Sequence, residues 1–311
     1  MVQSRNKKVL VIVGPTASGK SALAVRLAKK FNGEIISADS RQVYKGLDIG
    51  TGKITKREMR GIPHYLLDVA NPKKQFSVSE FLILTNQAIA EIVKKNKLPM
   101  VVGGTGFYID ALAGRILLPD VPPNKELRKK LEEKSVNELF VILKKKDARR
   151  AKTIDPHNKV RLIRALEIVA ALGKVPSILK FSRTSEYKFM YIGLKPDNLR
   201  YRIEKRVKKM FRDGLLDEIK RLKKSGVTNK RLKELGFEYW NPTEESVIKG
   251  SVNYAKRQMT WFKRNKKIKW FKPDEYTKIE KYVQTKMSGP SRARTRGGQA
   301  QIDGINLVQR V

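Results

Sequence analysis

The chain alternates between short apolar runs and longer segments whose apolar residues recur with helical spacing. Runs of strand length lie at Val9–Val13, in "GEIISADS" and in "KLPMVVGGTG". Residues 21–31 and 76–96 place apolar side chains on one helical face, and Ser77 with Glu80 predicts a capped helix start. Strands that alternate with helices favour a parallel sheet covered by helices on both faces. We therefore predict an α/β core.

The pattern changes after the proline-rich stretch "LLPDVPPNKE". Charged helical segments follow, then the strand-like "EYKFMYIGLKPD", and then basic segments through "SVNYAKRQMTWFKRNKKIKW" that we interpret as helices. We expect four parts: 1–119, the first part of the core; 120–185, a helical insertion; 186–287, a return strand with basic C-terminal helices; and 288–311, a disordered tail or a cloning remnant rich in Gly, Ser and Arg.

A phosphate-binding loop follows the first predicted strand. The string "GPTASGKS" matches G-x-x-x-x-G-K-[ST] and comprises Gly14, Pro15, Thr16, Ala17, Ser18, Gly19, Lys20 and Ser21. Its backbone amides and Lys20 would hold a diphosphate, while Ser21 would ligate Mg²⁺. The flanking strand and helix argue against a purely structural glycine turn. The fold class is therefore a P-loop NTPase-like parallel sheet with a helical insertion.

Two further polar groups follow neighbouring strands. Asp39 ends the second predicted strand, and Gly103–Thr105 ends the third. Ligands bind outside the carboxyl ends of parallel strands, so these groups should share a cleft with the loop. A carboxylate there suits a base that takes a proton from an incoming nucleophile. The alternatives are a helix cap for Asp39 and an ordinary tight turn for "GGTG".

Charge and composition restrict the class of partner. Lys and Arg total 68 against 30 for Asp and Glu, a formal net charge of +38. A polyanionic partner is the simplest explanation, although a generally solvated basic surface would give the same total. The absence of cysteine excludes disulfides, thiolate zinc sites and thiol nucleophiles.

The same features bear on location and assembly. Val9–Val13 is too short for a signal peptide, and no segment approaches the roughly 20 apolar residues of a membrane span. We expect a cytoplasmic protein with no membrane association. No exposed heptad or repeat is evident, which favours a monomer.

Basic side chains flank two apolar helical stripes. Leu162, Ala165, Leu166 and Val169 form one apolar face, and Val252, Ala255, Met259 and Phe262 form the other. These stripes are typical of core packing rather than of a base-stacking platform. Arg161 and Arg164 lie off the first stripe, as do Lys256 and Arg257 off the second, so these cations can meet phosphates without sequence preference.

The motifs together resemble the tRNA dimethylallyltransferases, also called tRNA isopentenyltransferases. The matching strings include "GPTASGKSALA", "ISADSRQVYKGLDIGTGK", "VVGGTGFYIDAL", "NKVRLIRALEI", "RIEKRVKKMF" and "YAKRQMTWF", in family order over nearly the whole chain. The resemblance implies transfer of the dimethylallyl group from dimethylallyl diphosphate to N6 of adenosine 37 in tRNAs that read codons beginning with U. The loop would then hold a prenyl diphosphate, with Mg²⁺, and transfer no phosphate.

The resemblance also implies roles for individual residues. Asp39 matches the general base, Thr105 matches a threonine near the bridging oxygen, and Arg206, with Arg202 as a second match, corresponds to diphosphate-binding arginines. The implied tRNA contacts are Asp39, Ser40, Arg41, Gln42, Val160, Arg161, Leu162, Ile163, Arg164, Lys256, Arg257 and Gln258. Two departures stand out: Glu238 lies where a basic residue is frequent, and Ser251–Asn253 lacks a frequent arginine.

Three other functions compete with this one. A P-loop kinase of a small acceptor would also use Asp39 as a base but would transfer the γ-phosphate of ATP. An adenylate isopentenyltransferase would prenylate AMP in the same cleft, but a small acceptor needs no helical insertion or +38 charge. A noncatalytic RNA-binding or nucleotide-sensing protein would have no reason to retain Lys20, Ser21, Asp39 and Thr105 together.

Overall fold

A six-stranded parallel sheet forms the centre of the computed structural model, which describes residues 7–116, 118–176 and 187–288. The strands are β1 (Lys7–Val13), β2 (Gly33–Ser37), β3 (His64–Tyr65), β4 (Leu98–Gly103), β5 (Tyr187–Leu194) and β6 (Lys269–Phe271). Their order across the sheet is β3-β2-β4-β1-β5-β6, and every pairing is parallel. The predicted α/β architecture is confirmed.

Helices cover both faces of this sheet. In the described residues they are α1 (Lys20–Lys30), α2 (Lys56–Met59), α3 (Val78–Lys94), α4 (Gly106–Leu112), α5 (Lys125–Glu132), α6 (Val136–Lys146), α7 (Ala148–Ala151), α8 (Lys159–Leu172), α9 (Leu199–Arg212), α10 (Leu215–Lys224), α11 (Asn229–Leu235), α12 (Glu244–Phe262) and α13 (Tyr276–Ser288). None of them is long and apolar enough to cross a bilayer.

The core forms because the central strands are apolar on both sides. One cluster joins β1, β2 and β4 to α3 and α4, and a second joins the opposite face to α1 and α13. Helix α3 begins with the expected capping box: the Glu80 amide donates to Ser77 Oγ at 3.2 Å, and the Ser77 amide donates to Glu80 Oε2 at 2.7 Å. These local signals fix how α3 is placed against the sheet.

The strand register brings the predicted site residues to one edge. Val13 is opposite Gly103, and Ser37 is opposite Val102, so β1, β2 and β4 end side by side. The segments that leave these strands carry the phosphate loop, Asp39 and Thr105. The shared edge follows from parallel pairing, in which all carboxyl ends point the same way.

Part of the C-terminal prediction is wrong. We expected the segment through "KKIKW" to continue as helix, but α12 ends at Phe262 and Lys269–Phe271 forms the edge strand β6. Trp270 packs directly on Gly193 of β5, where even a Cβ would lie 2.4 Å from its ring. This packing and the strand pairing stabilise an extended conformation that three residues cannot signal on their own.

Helices α5–α8 enclose an apolar cluster of their own that includes Leu139, Leu143 and Leu162. The buried Glu167 carboxylate in this cluster accepts hydrogen bonds from Arg128 at 2.7 Å and from Arg164 at 3.1 Å. Our boundaries at 119/120 and 185/186 stay predictions, and the second of them lies outside the described residues, as does nearly all of the predicted tail.

Candidate active site

The phosphate loop takes a backbone shape that requires glycine. Gly14 has φ +150°, and a Cβ there would lie 2.6 Å from the carbonyl oxygen of Leu194. Gly19, with φ +93°, precedes α1 directly. The loop therefore connects the end of β1 to the N-terminus of α1, where the helix dipole favours an anion.

Lys20 lines the cleft, and its surroundings disfavour the charged form of its amine. Its Nζ donates to the carbonyl oxygen of Pro15 at 2.6 Å. The pKa of the amine is lowered to about 7, first by burial and then by the charge of Arg206, while Asp39 acts in the opposite direction. A bound diphosphate would favour the charged form again, because it places negative charge beside the amine.

We predict that diphosphate binding takes up a proton at Lys20. Near pH 8 the free amine is largely neutral, and an anionic ligand raises its pKa, so affinity should fall up to tenfold per pH unit above about 7. Calorimetry with inorganic diphosphate, without added metal, in buffers of different ionisation enthalpy measures the uptake. A Lys20→Met variant serves as the control and should lose the uptake; equal uptake in both proteins would contradict the assignment.

Two arginines of α9 cross the cleft to the loop. Arg206 donates to Thr16 Oγ1 at 3.1 Å and to the carbonyl oxygen of Thr51 at 2.7 Å, and Arg202 donates to the carbonyl oxygen of Ala17 at 2.8 Å. Burial lowers the pKa of Arg206, with Asp39 opposing this effect. The structure thus places both expected arginines at the phosphate loop, on successive turns of one helix face.

Asp39 organises the segment after β2. Its Oδ1 accepts the amide of Arg41 at 2.9 Å and the amide of Gln42 at 3.3 Å, in a turn rather than at a helix start. Both bonds engage the same oxygen, so the carboxylate keeps Oδ2 for a ligand. The helix-cap alternative is therefore wrong, because a turn and not a helix follows Asp39, and the role of a base stays a prediction.

Thr105 joins the ends of β2 and β4. Its Oγ1 accepts the amide of Ser40 at 3.0 Å and lies 3.4 Å from Ser40 Oγ, and its own amide donates to the carbonyl oxygen of Ala38 at 3.2 Å. The "GGTG" string is thus a strand-to-helix turn whose hydroxyl also fixes the Asp39 segment. The two sequence interpretations of this string describe one arrangement.

Gln258 has a different position from the tRNA contact that we expected. Its side chain is buried: Oε1 accepts the amide of Thr16 at 2.8 Å, and Nε2 donates to the carbonyl oxygen of Gly104 at 3.0 Å. Gly104 permits this approach because a Cβ there would lie 2.1 Å from Nε2. Gln258 therefore clamps the phosphate loop to the end of β4 from helix α12.

We predict that Gln258→Leu weakens diphosphate binding roughly tenfold, because two buried backbone groups lose their partners. The control is Gln284→Leu at an exposed position of α13, which should bind normally. Fluorescence or calorimetric titration measures the effect. An unchanged diphosphate affinity together with a raised KM for tRNA would favour our original expectation of a direct tRNA contact.

The loop and strand ends enclose a cavity of about 570 Å³. This volume is in the range of small-molecule sites. The lining combines basic, acidic and aromatic side chains, among them Lys20, Asp39, Arg202, Arg206, Glu238 and Tyr254. The cavity therefore brings cations and carboxylates together in one space.

The structure separates the predicted tRNA contacts of the insertion into two groups. Val160 is 73% exposed and Arg161 is also exposed at the start of α8. Leu162 and Ile163 are buried in the α5–α8 cluster, so a side-chain contact with RNA is not available to them. Arg164 is committed to Glu167 and to the carbonyl oxygen of Val121 at 2.8 Å. The residue spacing identified the helix but not these burial differences.

The remaining predicted tRNA contacts lie on α12 and in the turn after β2. Lys256 and Arg257 are exposed on α12. Gln42 lines the cavity, and its Nε2 is 3.4 Å from the carbonyl oxygen of Thr51. Arg41 points inward and pairs with Glu238. The Thr51 carbonyl and Glu238 are contributors that sequence reasoning did not assign, since both act through partners more than 100 positions away.

A magnesium ion would depend largely on the substrate for its ligands. The described residues contain no group of three His, Cys, Asp or Glu side chains that could hold a metal. Ser21, at the start of α1, lines the cavity beside Lys20 and offers one hydroxyl. Mg²⁺ commonly keeps waters and phosphate oxygens with few protein ligands, so Ser21 together with a diphosphate fits this ion.

The sheet, phosphate loop and strand-end carboxylate define a P-loop-type enzyme fold with a polar, diphosphate-sized cleft. A profile described as IPP transferase matches residues 42–265. The chain is 41% identical over 292 residues to the tRNA dimethylallyltransferase of Anoxybacillus flavithermus, which covers 89% of this chain and 94% of that protein. It is 42% identical over 296 residues to the enzyme of that name from Thermoanaerobacter sp., with 88% and 94% covered.

Solved structures give the same result. A tRNA isopentenylpyrophosphate transferase from Bacillus halodurans superposes with a TM-score of 0.66 at 36% identity, covering 91% of this chain and 97% of that chain. A eukaryotic dimethylallyltransferase described as acting on tRNA gives a TM-score of 0.74 at 28% identity, covering 89% and 77%. The chain belongs to the IPP transferase family.

Proposed function

We propose that the protein transfers the dimethylallyl group of dimethylallyl diphosphate to N6 of adenosine 37 in tRNAs that read codons beginning with U. The observation that carries this proposal is one cleft that is lined by Lys20 and Arg206 and also by Asp39. The relatives named tRNA dimethylallyltransferases support the same substrates.

The cations that line the cleft would stabilise the leaving group. As the allylic C1–O bond breaks, its electron pair and the negative charge go to the diphosphate, which Lys20, the loop amides and Arg206 surround. Mg²⁺ held by Ser21 and diphosphate oxygens would add positive charge at the same place. Arg202, bonded to the loop carbonyl of Ala17, would hold the loop in its binding shape.

The tRNA would supply the nucleophile, and Asp39 would remove its proton. The exocyclic N6 of adenine forms the new bond to C1, and Asp39 accepts the proton that N6 loses. Thr105, beside Asp39 at the end of β4, would hydrogen-bond near the bridging oxygen. The walls of the cleft would exclude water, which otherwise captures an allylic cation.

The exposed cations supply the tRNA-binding part of the proposal. Arg161 on α8 and Lys256 and Arg257 on α12 are all exposed, and the net charge of +38 suits a phosphate backbone. An anticodon loop is single-stranded, so a base can leave its stack at low cost to enter the cleft. We also propose a cytoplasmic, monomeric enzyme, in keeping with a tRNA substrate.

A competition between acceptors tests this proposal. Purified protein, Mg²⁺ and labelled dimethylallyl diphosphate are incubated with an anticodon stem-loop, with AMP, or with both. Label should enter the stem-loop and not AMP. Transfer to AMP would identify an adenylate isopentenyltransferase, and label transfer from γ-labelled ATP would identify a kinase; either result would contradict the proposal.

A further inference from the structure

Glu238 lines the same cleft as Asp39 and forms a largely buried ion pair with Arg41. Arg41 Nη1 donates to Glu238 Oε2, and the two side chains are only 26% and 12% exposed. The two residues are far apart in the sequence: Arg41 follows β2, and Glu238 lies in the turn after α11. Breaking a buried pair by removing one partner leaves a costly unpaired charge, so the survivor seeks another partner.

The negative charge of Asp39 also acts on this guanidinium. Arg41 follows Asp39 by two positions, and its amide is already bonded to Asp39 Oδ1 at 2.9 Å. Burial, the largest influence, lowers the pKa of Arg41, but Glu238, Tyr254 and Asp39, in decreasing order of their contribution, raise it overall. Glu238 therefore competes with Asp39 for one cation.

The surrounding backbone is shaped for the pair. Gly236 has φ +146°, and a Cβ there would lie 2.3 Å from Arg41 Nη1 and 2.7 Å from Glu238 Oε2. The next residue, Tyr239, is buried and donates its hydroxyl to Glu218 Oε1 at 3.0 Å. Glu238 is thus fixed between a glycine that leaves room for the pair and a tyrosine anchored in the core.

We propose that Glu238 is a positioning residue for Asp39, because it holds the Arg41 guanidinium away from the carboxylate that accepts the N6 proton. The inference rests on the proposed function of Asp39. A carboxylate that is paired with a guanidinium is a weaker base. The acid at position 238 thereby neutralises the arginine at position 41.

Other charged groups also act on Asp39, and all of them remain in a Glu238 variant. They are Lys20 at the phosphate loop, Arg206 on α9, Tyr108 on α4, Tyr254 on α12 and Arg41 in its own turn. The phosphate-loop cations are engaged by saturating dimethylallyl diphosphate. Measurement of kcat under saturation therefore isolates the contribution of the Arg41–Glu238 pair.

The experiment compares wild type, Glu238→Gln and the double variant Arg41→Met/Glu238→Gln with an anticodon stem-loop. We expect kcat of Glu238→Gln to fall roughly tenfold, a fraction of the effect of a general base. KM for dimethylallyl diphosphate should change less than twofold. Removal of the guanidinium in the double variant should recover most of the lost kcat.

Matched measurements separate this role from a purely structural one. Glu234→Gln removes an exposed acid paired with Arg231 on α11 and should leave kcat unchanged. Thermal melting establishes that each variant is folded. A wild-type kcat in Glu238→Gln, or a double variant no faster than the single one, would overturn the inference. Failure of the wild type to prenylate the stem-loop would instead overturn the proposed function.

Discussion

Asp39→Asn should lower kcat for prenyl transfer by roughly 10²- to 10⁴-fold, the usual contribution of a general base. The Asn side-chain oxygen can still accept the amides of Arg41 and Gln42, so the turn after β2 is preserved. The variant loses the ability to accept the N6 proton. Single-turnover transfer to a stem-loop, with both substrates saturating, measures the effect.

The control for this substitution is Asp217→Asn on α10, where the carboxylate is exposed and pairs with Lys220. It should leave both kinetic constants unchanged, and dimethylallyl diphosphate binding should be similar in both variants. If Asp39→Asn retained more than about a tenth of the wild-type kcat, Asp39 would not be the base that this mechanism requires.

Arg206→Gln should lower kcat/KM by roughly 10²- to 10³-fold, because it removes a buried cation from the place where charge develops on the diphosphate. It also removes the second-largest cause of the lowered pKa of Lys20. The pH above which diphosphate binding weakens should therefore rise. Steady-state kinetics and pH-dependent titration measure both effects.

Arg200→Gln provides the matched control on the same helix. Arg200 is exposed and pairs with Glu204 one turn along α9. This variant should retain wild-type kinetics and the same pH dependence. A loss of catalysis in Arg206→Gln without any change in the pH dependence would contradict the electrostatic coupling between Arg206 and Lys20.

Local features of the sequence predicted local features of the structure. The phosphate loop lies between a strand and a helix, Ser77 and Glu80 form the expected capping box, and the parallel order of strands brings Asp39 and Thr105 to the loop. Each of these depends on residues close together in the chain or on the general rule that parallel strands end at one edge.

The contacts that complete the cleft could not be predicted in this way. Gln258 reaches Thr16 across 242 positions, Arg206 reaches it across 190, and Arg41 reaches Glu238 across 197. Helical spacing shows that α9 and α12 have an apolar face, but it does not show what their polar residues meet. Family resemblance pointed to Arg206 and Gln258, but it did not reveal that Gln258 bonds the Thr16 amide and the Gly104 carbonyl oxygen, a contact that depends on tertiary packing.

The same limit applies to the helical insertion. The string "VRLIR" predicted basic, RNA-facing residues, and the amphipathic pattern already placed Leu162 on the inner face. Arg164 was expected outside because it lies off the apolar stripe, yet its guanidinium pairs with the buried Glu167. One buried acid is enough to change the role of a neighbouring cation.

The most direct test of the central claim is to map the product of the reaction on tRNA. Unmodified tRNA with adenosine at position 37, and the same tRNA with guanosine there, are incubated with dimethylallyl diphosphate and Mg²⁺, digested to nucleosides and analysed by mass spectrometry. We predict N6-dimethylallyladenosine from the first tRNA only, with one diphosphate released per group transferred. Equal prenylation of both tRNAs, or diphosphate release without prenylated nucleoside, would contradict the account.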